Sequence, residues 1–244
     1  MRRALTHLVN RTRIVDEVYL GLARIVTGNF YIDGHYYDNT ITPYPYDPAK
    51  ARALLAKAGW RDTDNDGILD KNSQKFEFTF LTVSGGKTFE RIAEIAREDF
   101  AKVGIVANIN PVEWSVYTER LDEWNFDVCA LGWVNSGWES DPYQIWHSSQ
   151  ADIKKASNHI GFKNKEADAI IEAAREEFDV EKRIALYHRF HRILHEEQPY
   201  TFLVTPDSLV VQDKRFRNAK VYPHPDRMHT NTFWVPLVEQ KYRE

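Results

Sequence analysis

Between residues 76 and 112 a strand, a helix and a second strand follow one another, and this unit leaves the chain few folds to choose from. Phe76-Glu77-Phe78-Thr79-Phe80 alternates apolar and polar side chains with the period of a strand. Residues 88–103 carry helical spacing and stop at Gly104, the residue type that ends helices in a left-handed conformation. Residues 105–112 then read as another strand. Two strands joined through a helix lie parallel, with a right-handed crossover, so the chain belongs to the α/β class.

The flanking sequence adds elements of both kinds. Residues 3–20 place Ala4, Leu5, Leu8, Val9, Val15 and Val18 on one stripe and read as a single helix. A loop-rich segment dense in Tyr, Gly, Asp and Asn fills 21–45. Asp47-Pro48 opens a helix over 49–58 that ends at Gly59. Further helices are expected over 115–124, 165–178 and 180–197, the last ended by Pro199. Strands are expected over 128–131, 200–204 and 208–212, making the sheet mixed. The final stretch, rich in Pro and His, reads as an extended excursion.

The segment from Phe126 to Tyr143 carries the functional signal. Its apolar strand breaks into Gly132-Trp133-Val134-Asn135-Ser136-Gly137-Trp138, and Asp141-Pro142 restarts the chain as a short helix with Asp141 as N-cap. A strand that delivers two indoles and several small polar groups to one edge is how α/β folds build a ligand site. No acid, base or nucleophile pair accompanies it. The loop is made to hold a ligand, with Trp133, Asn135, Ser136 and Trp138 as the expected contacts.

Charge excludes one class of partner: 32 basic against 36 acidic side chains, with no basic block, gives no footprint for nucleic acid. The single cysteine, Cys129, excludes an internal disulfide and sits in an apolar run as a buried thiol. No stretch is apolar over the ~18 residues of a membrane span. The start, Met1-Arg2-Arg3-Ala4-Leu5-Thr6-His7-Leu8, is too polar for a signal peptide and enters a helix abruptly, as if sequence upstream were missing.

Three motifs carry rival chemistries. Asp62-Thr63-Asp64-Asn65-Asp66-Gly67-Ile68-Leu69-Asp70 follows the first nine positions of a calcium loop, with Asp62, Asp64, Asp66 and Asp70 as ligands, but position twelve is Ser73 rather than the bidentate Glu. It is expected at the surface, away from the ligand site, as at most a weak structural cation site. Ser84-Gly85-Gly86-Lys87-Thr88 ends like a phosphate-binding loop but has Leu81 where the first Gly belongs, so a turn and helix start are expected. His188, His191 and His195 share one helix, and a metal-dependent hydrolase using them is the enzymatic alternative. Arg192 stands where a metalloprotease needs Glu, which favours a solvated helix face.

Several runs together resemble the family 5 extracellular solute-binding proteins, the peptide- and nickel-type receptors of ABC importers. They are Arg2-Arg3-Ala4-Leu5 through Asn10-Arg11, the helix from Tyr46-Asp47-Pro48 to Gly59-Trp60 with the Asp-rich turn after it, Val103-Gly104-Ile105, Glu113-Trp114, Phe126-Asp127, Gly132-Trp133, Asp141-Pro142-Tyr143 and Trp146-His147-Ser148. The resemblance implies a periplasmic-binding-protein fold of the second type, with residues 1–212 as its second, cleft-forming lobe. Residues 213–244 would be the tail that crosses back to a first lobe not present in this chain. It further implies binding without catalysis or cofactor, a small solute or peptide ligand, the first lobe and a membrane permease as partners, and a place in the periplasm or on the outer face of the membrane. Trp114 joins the expected ligand contacts. Many members carry an Asp three residues after the Gly-Trp tryptophan to pair with the ligand's amino terminus; that position is Ser136 here.

Overall fold

The computed structural model describes residues 1–134, 139–222 and 230–241. The stripe over 3–20 folds not as one helix but as two, α1 (Arg2–Leu8) and α2 (Arg11–Val18). Val9 turns extended and Asn10 caps α2, its side-chain oxygen accepting from the Arg13 N–H at 3.0 Å. The break is held from far along the chain: the fully buried Asp99 carboxylate accepts from the Asn10 N–H, the Tyr46 hydroxyl and Lys102 Nζ. An amphipathic stripe carries no sign of such a distant acceptor.

A short strand, β1 (Ala23–Ile25), lies inside the loop-rich segment. Helix α3 (Pro48–Lys57) forms as its cap signals require, with the Asp47 carboxylate accepting from the Lys50 N–H at 2.8 Å. The polar stretch after it contains a small antiparallel hairpin, β2 (Asp70–Lys71) and β3 (Gln74–Lys75), that alternation was too short to reveal.

The βαβ unit is β4 (Glu77–Val83), α4 (Lys87–Ala101) and β5 (Val106–Val112), its strands parallel with Phe80 opposite Ile109. Helix α5 (Trp114–Asp122) then leads to β6 (Val128–Cys129), which pairs with the other side of β4 to give the all-parallel order β5-β4-β6. Phe78 and Phe80 pack with Ile92, Ile95 and Phe100 in the main core, which α1 and α3 complete through Leu8, Ala51 and Leu55. On the opposite face Leu81 meets Tyr117 and Leu121. Burying both faces is the requirement for a parallel sheet. The ladder of β6 is shorter than the expected strand because side chains take over its neighbouring bonds. Asp127 Oδ2 accepts from the Thr79 N–H at 2.9 Å, and the Tyr117 hydroxyl donates to the Ala130 carbonyl at 2.8 Å.

Helix α6 (Tyr143–Trp146) has Pro142, not Asp141, at its N-cap position; Asp141 Oδ1 still accepts from the Tyr143 N–H at 3.0 Å. Helices α7 (Lys165–Glu176) and α8 (Val180–Glu197) are capped by Asn164 and Asp179. They form a second core with Phe30, Tyr36, Trp146 and Phe202. Strand β7 (Val204–Pro206) pairs antiparallel with β1, two to four residues later than the run over 200–204 suggested. The strand expected over 208–212 does not form: no described strand lies beside it, and Val211 is almost fully exposed. The α/β class holds, with parallel and antiparallel pairings in separate sheets.

Candidate functional site

The parallel register fixes the site. Val83 pairs with Val112 and Leu81 with Cys129, so the chain leaves β4, β5 and β6 at one edge of the sheet. The Ser84 N–H donates to the Val112 carbonyl at 2.8 Å and ties the first two exits together. Trp114, two residues beyond β5, is 56 % exposed and lies nearly parallel to the ring of fully buried Tyr117 at 5.7 Å. Through its bond to Ala130, Tyr117 joins Trp114 to the exit of β6. Desolvation raises the Tyr117 phenol far above its ordinary range, so it is a neutral donor at any working pH.

Beyond Ala130, Trp133 is 42 % exposed and Val134 83 % exposed, while the Trp133 ring lies parallel to His159 at 6.3 Å. Burial pushes the nearby Tyr200 hydroxyl up to about 12, opposed by a bond from the Trp133 indole. Trp114 and Trp133 thus share the carboxyl edge of the sheet with their faces partly open to solvent. Asn135, Ser136 and Trp138, the other expected contacts, lie outside the described residues.

Where the description resumes, Glu139 is clamped. The Tyr36 hydroxyl donates to its carboxylate, Arg183 Nε donates to the same hydroxyl at 2.7 Å, and the Arg183 guanidinium approaches Glu139 at 3.5 Å. Asp141 pairs with Arg175 at 3.3 Å, and Arg175 covers the Tyr143 ring at 4.5 Å. The loop that begins at Trp133 is therefore fastened at both ends. Sequence reading missed the second fastening, because Tyr36 and Arg183 stand 103 and 44 residues from Glu139 along the chain; only the density of Tyr around residue 36 hinted at it.

The rival motifs resolve differently. His191 is fully buried: its Nδ1 accepts from the Asp38 N–H at 3.1 Å and its Nε2 meets the Thr27 hydroxyl at 3.0 Å. His188 reaches the His35 carbonyl at 3.0 Å, and His195 stacks flat on Tyr44 at 4.4 Å. Three rings committed to three different neighbours do not converge on a metal, and His191 is a core residue rather than part of a solvated face. At the Gly86-Lys87-Thr88 turn, Glu90 accepts from the Gly85 N–H at 3.0 Å, putting a carboxylate where a phosphate loop needs free amides.

In the acidic turn, oxygens of Asp62, Asp64 and Asp70 lie within 4.8 Å of one another. Asp66 departs from the expected ligand set: its Oδ1 accepts from the Ile68 N–H, while Lys75 Nζ lies 2.6 Å from Asp64 and 2.8 Å from Asp66. An ammonium already supplies the cationic charge. The turn docks at the amino end of β5, where the Leu69 N–H donates to the Gly104 carbonyl at 2.7 Å, on the edge opposite Trp114 and Trp133. Gly104 has φ +82°, and a Cβ there would come within 2.7 Å of the Gly67 carbonyl, so this contact needs glycine.

Comparison with known proteins agrees with this geometry. The profile described as "Bacterial extracellular solute-binding proteins, family 5 Middle" matches residues 1–155. The chain is 35% identical over 243 residues to the oligopeptide-binding protein AppA of Bacillus subtilis, covering 96% of this chain and 44% of that one. The structure of AppA in complex with a nonapeptide superposes with a TM-score of 0.85 at 35% identity over 96% of this chain and 47% of that one. The ABC transporter-associated periplasmic binding protein DppA of Helicobacter pylori, in complex with the peptide STSA, superposes with a TM-score of 0.77 at 26% identity over 90% and 40%. The fold is the periplasmic-binding-protein type II fold, and the chain spans about half the length of these relatives.

Proposed function

Because the chain belongs to the family 5 bacterial extracellular solute-binding proteins, we propose that it is the carboxyl-terminal lobe of an oligopeptide-type binding component of an ABC importer. In this reading it binds and delivers its ligand without catalysis, outside the cytoplasmic membrane, in concert with a first lobe and a membrane permease. Among the described residues no helix is long and apolar enough to cross a membrane. The observation that carries the reading is the carboxyl edge of the sheet, where Trp114 and Trp133 stand half-open on a scaffold fastened through Tyr117. Peptide ligands are named for both AppA and DppA. An open edge flanked by aromatics suits an extended main chain, held by hydrogen bonds with its side chains in wet pockets.

Residues 1–212 form the lobe in this reading, and 213–244 the tail that meets the first lobe. Described tail residues support it: Arg217 and Trp234 pair with each other, while Val221, Trp234, Leu237 and Val238 are left exposed. Apolar side chains gathered on a segment outside the cores need a cover. Asn135, Ser136 and Trp138 complete the proposed contact set with Trp114 and Trp133.

Titrating the 244-residue chain with a pool of di- to pentapeptides tests the proposal. A half-cleft forfeits roughly half its contacts, while the cost of capturing a ligand, ~4 kcal/mol or more, stays. Binding is expected to be weak, to require Trp133, and to tighten by orders of magnitude in a chain that carries both lobes. Sub-micromolar binding by this chain alone would refute the half-receptor reading, and no peptide binding by the two-lobed protein would refute the ligand class.

A further inference from the structure

On the sheet face turned to α5, the helix covers only the carboxyl-terminal part, where Leu81, Tyr117 and Leu121 pack. Beside the end of α5, next to Leu81, an open cavity of about 280 Å³ lies over the middle of the sheet, walled by Thr79, Asn110 and Arg120 and by the exposed Trp124, Asn125 and Asp127. The length of α5 separates it from Trp114 and the carboxyl edge.

Its walls are chemically unspent. The Thr79 hydroxyl, the Asn110 and Asn125 amides and the half-buried Arg120 guanidinium make no hydrogen bond to another described protein group. Asp127 spends one oxygen on the Thr79 N–H and keeps the other. Arg120 and Asp127 line the same cavity without pairing with each other. Two opposite charges left apart in one small cavity fit a ligand that carries both.

Trp124 supplies a second observation. It closes α5 with φ +55°, its N–H donating to the Leu121 carbonyl and that of Asn125 to the Arg120 carbonyl. This is the turn in which glycine normally takes the left-handed position, and a bulky residue there is strained. The Trp124 ring belongs to none of the three apolar clusters and is 38 % exposed. Neither backbone preference nor core packing accounts for tryptophan at this position. Strain of this kind gathers at functional sites.

We propose that this cavity is a second binding site, for a free amino acid with an apolar side chain. Arg120 receives the α-carboxylate, the free oxygen of Asp127 receives the α-ammonium, and Trp124 lays its face on the side chain. Asn110, Asn125 and Thr79 supply the remaining hydrogen bonds.

The test is calorimetric and NMR titration of the 244-residue chain with leucine, N-acetyl-leucine and leucine methyl ester. Leucine is expected to bind saturably, and each capped derivative about tenfold more weakly or worse, since each loses one charge-assisted contact. Trp124→Gly is expected to raise the unfolding midpoint, by removing the strain, while abolishing leucine binding. Arg120→Gln is expected to weaken leucine while leaving the midpoint near wild type. Trp133→Ala, at the other edge of the sheet, leaves leucine binding unchanged. The proposal is overturned if leucine shows no saturation up to about 10 mM, a contact too weak to be a built site. It is equally overturned if capped and free forms bind alike, if Trp124→Gly binds normally, or if Trp133→Ala rather than Trp124→Gly removes binding. Only the last of these outcomes would return the ligand to the proposed cleft.

Discussion

Acid should unfold this protein in a pH window set chiefly by one buried histidine. His191 is fully buried, and its pKa is depressed from 6.5 to about 4, chiefly by desolvation. Geometry points the same way: with Nδ1 accepting from the Asp38 N–H, the neutral ring keeps its proton on Nε2, toward Thr27. A second proton would set one N–H against another. The charges around the ring divide. Asp38 favours the imidazolium, while His188 and His195 disfavour it. Asp38 is itself pushed up by desolvation, but bonds from Thr40 and the Arg192 ion pair outweigh this and hold it below the ordinary carboxylate range. Because the folded pKa lies below the unfolded one, the unfolded chain binds more protons between them. Stability is therefore complete above pH 6.5 and falls as the pH drops toward 4. The 2.5-unit gap between 6.5 and about 4 amounts to roughly 3 kcal/mol, a large share of the stability of an ordinary domain. Desolvation also lowers His195, which adds to the loss in the same window, while carboxylates held low, such as Asp33, act below it. Urea unfolding followed by tryptophan fluorescence from about pH 7.5 to about pH 4.5 measures the loss. His191→Gln keeps an acceptor for the Asp38 N–H but cannot titrate, so its stability should be lower at neutral pH and much flatter across the window. Equal slopes for the variant and the wild type would refute the reasoning.

Two further substitutions probe the scaffold. Tyr117→Phe removes the hydroxyl that donates to Ala130 at 2.8 Å and should cost about 1 kcal/mol. It should also speed amide exchange at Leu131 to Val134, and unchanged exchange there would show that Tyr117 does not fasten the loop. Gly28→Ala would set a Cβ 2.3 Å from the His191 ring, where nothing can yield without breaking the Asp38 or Thr27 contact. A loss of about 2 kcal/mol or more in the urea midpoint is expected, and a neutral result would mean that the His191 pocket is softer than its burial implies.

Local rules served well where one segment carries its own instructions. Asp47-Pro48 with Gly59, the helix from Val180 to Glu197 ended by Pro199, and the strand–helix–strand order from Phe76 to Val112 were legible because caps, breakers and periodicity act within a turn or two. The strand over 128–131 placed Trp133 at a strand exit, while Trp114 joined it through the family resemblance. Contacts between distant residues had no such signature. The break at Asn10 depends on Asp99, the shortness of β6 on Tyr117, and the hold on Glu139 on Tyr36 and Arg183. His191 shows the limit most clearly. In sequence it shares a helix with two other histidines and reads as part of a solvated face, with a metal site as the rival. In the fold, Thr27, Gly28, Tyr37 and Asp38 close around it from a loop more than 150 residues earlier. Sequence alone determined most of the helices, the strand–helix–strand unit and which loop carried aromatics, because those choices follow from neighbouring side chains. Only the tertiary structure decided which polar groups found partners inside and which, like Arg120, were left without one, because burial and partnership are properties of residues brought together by folding.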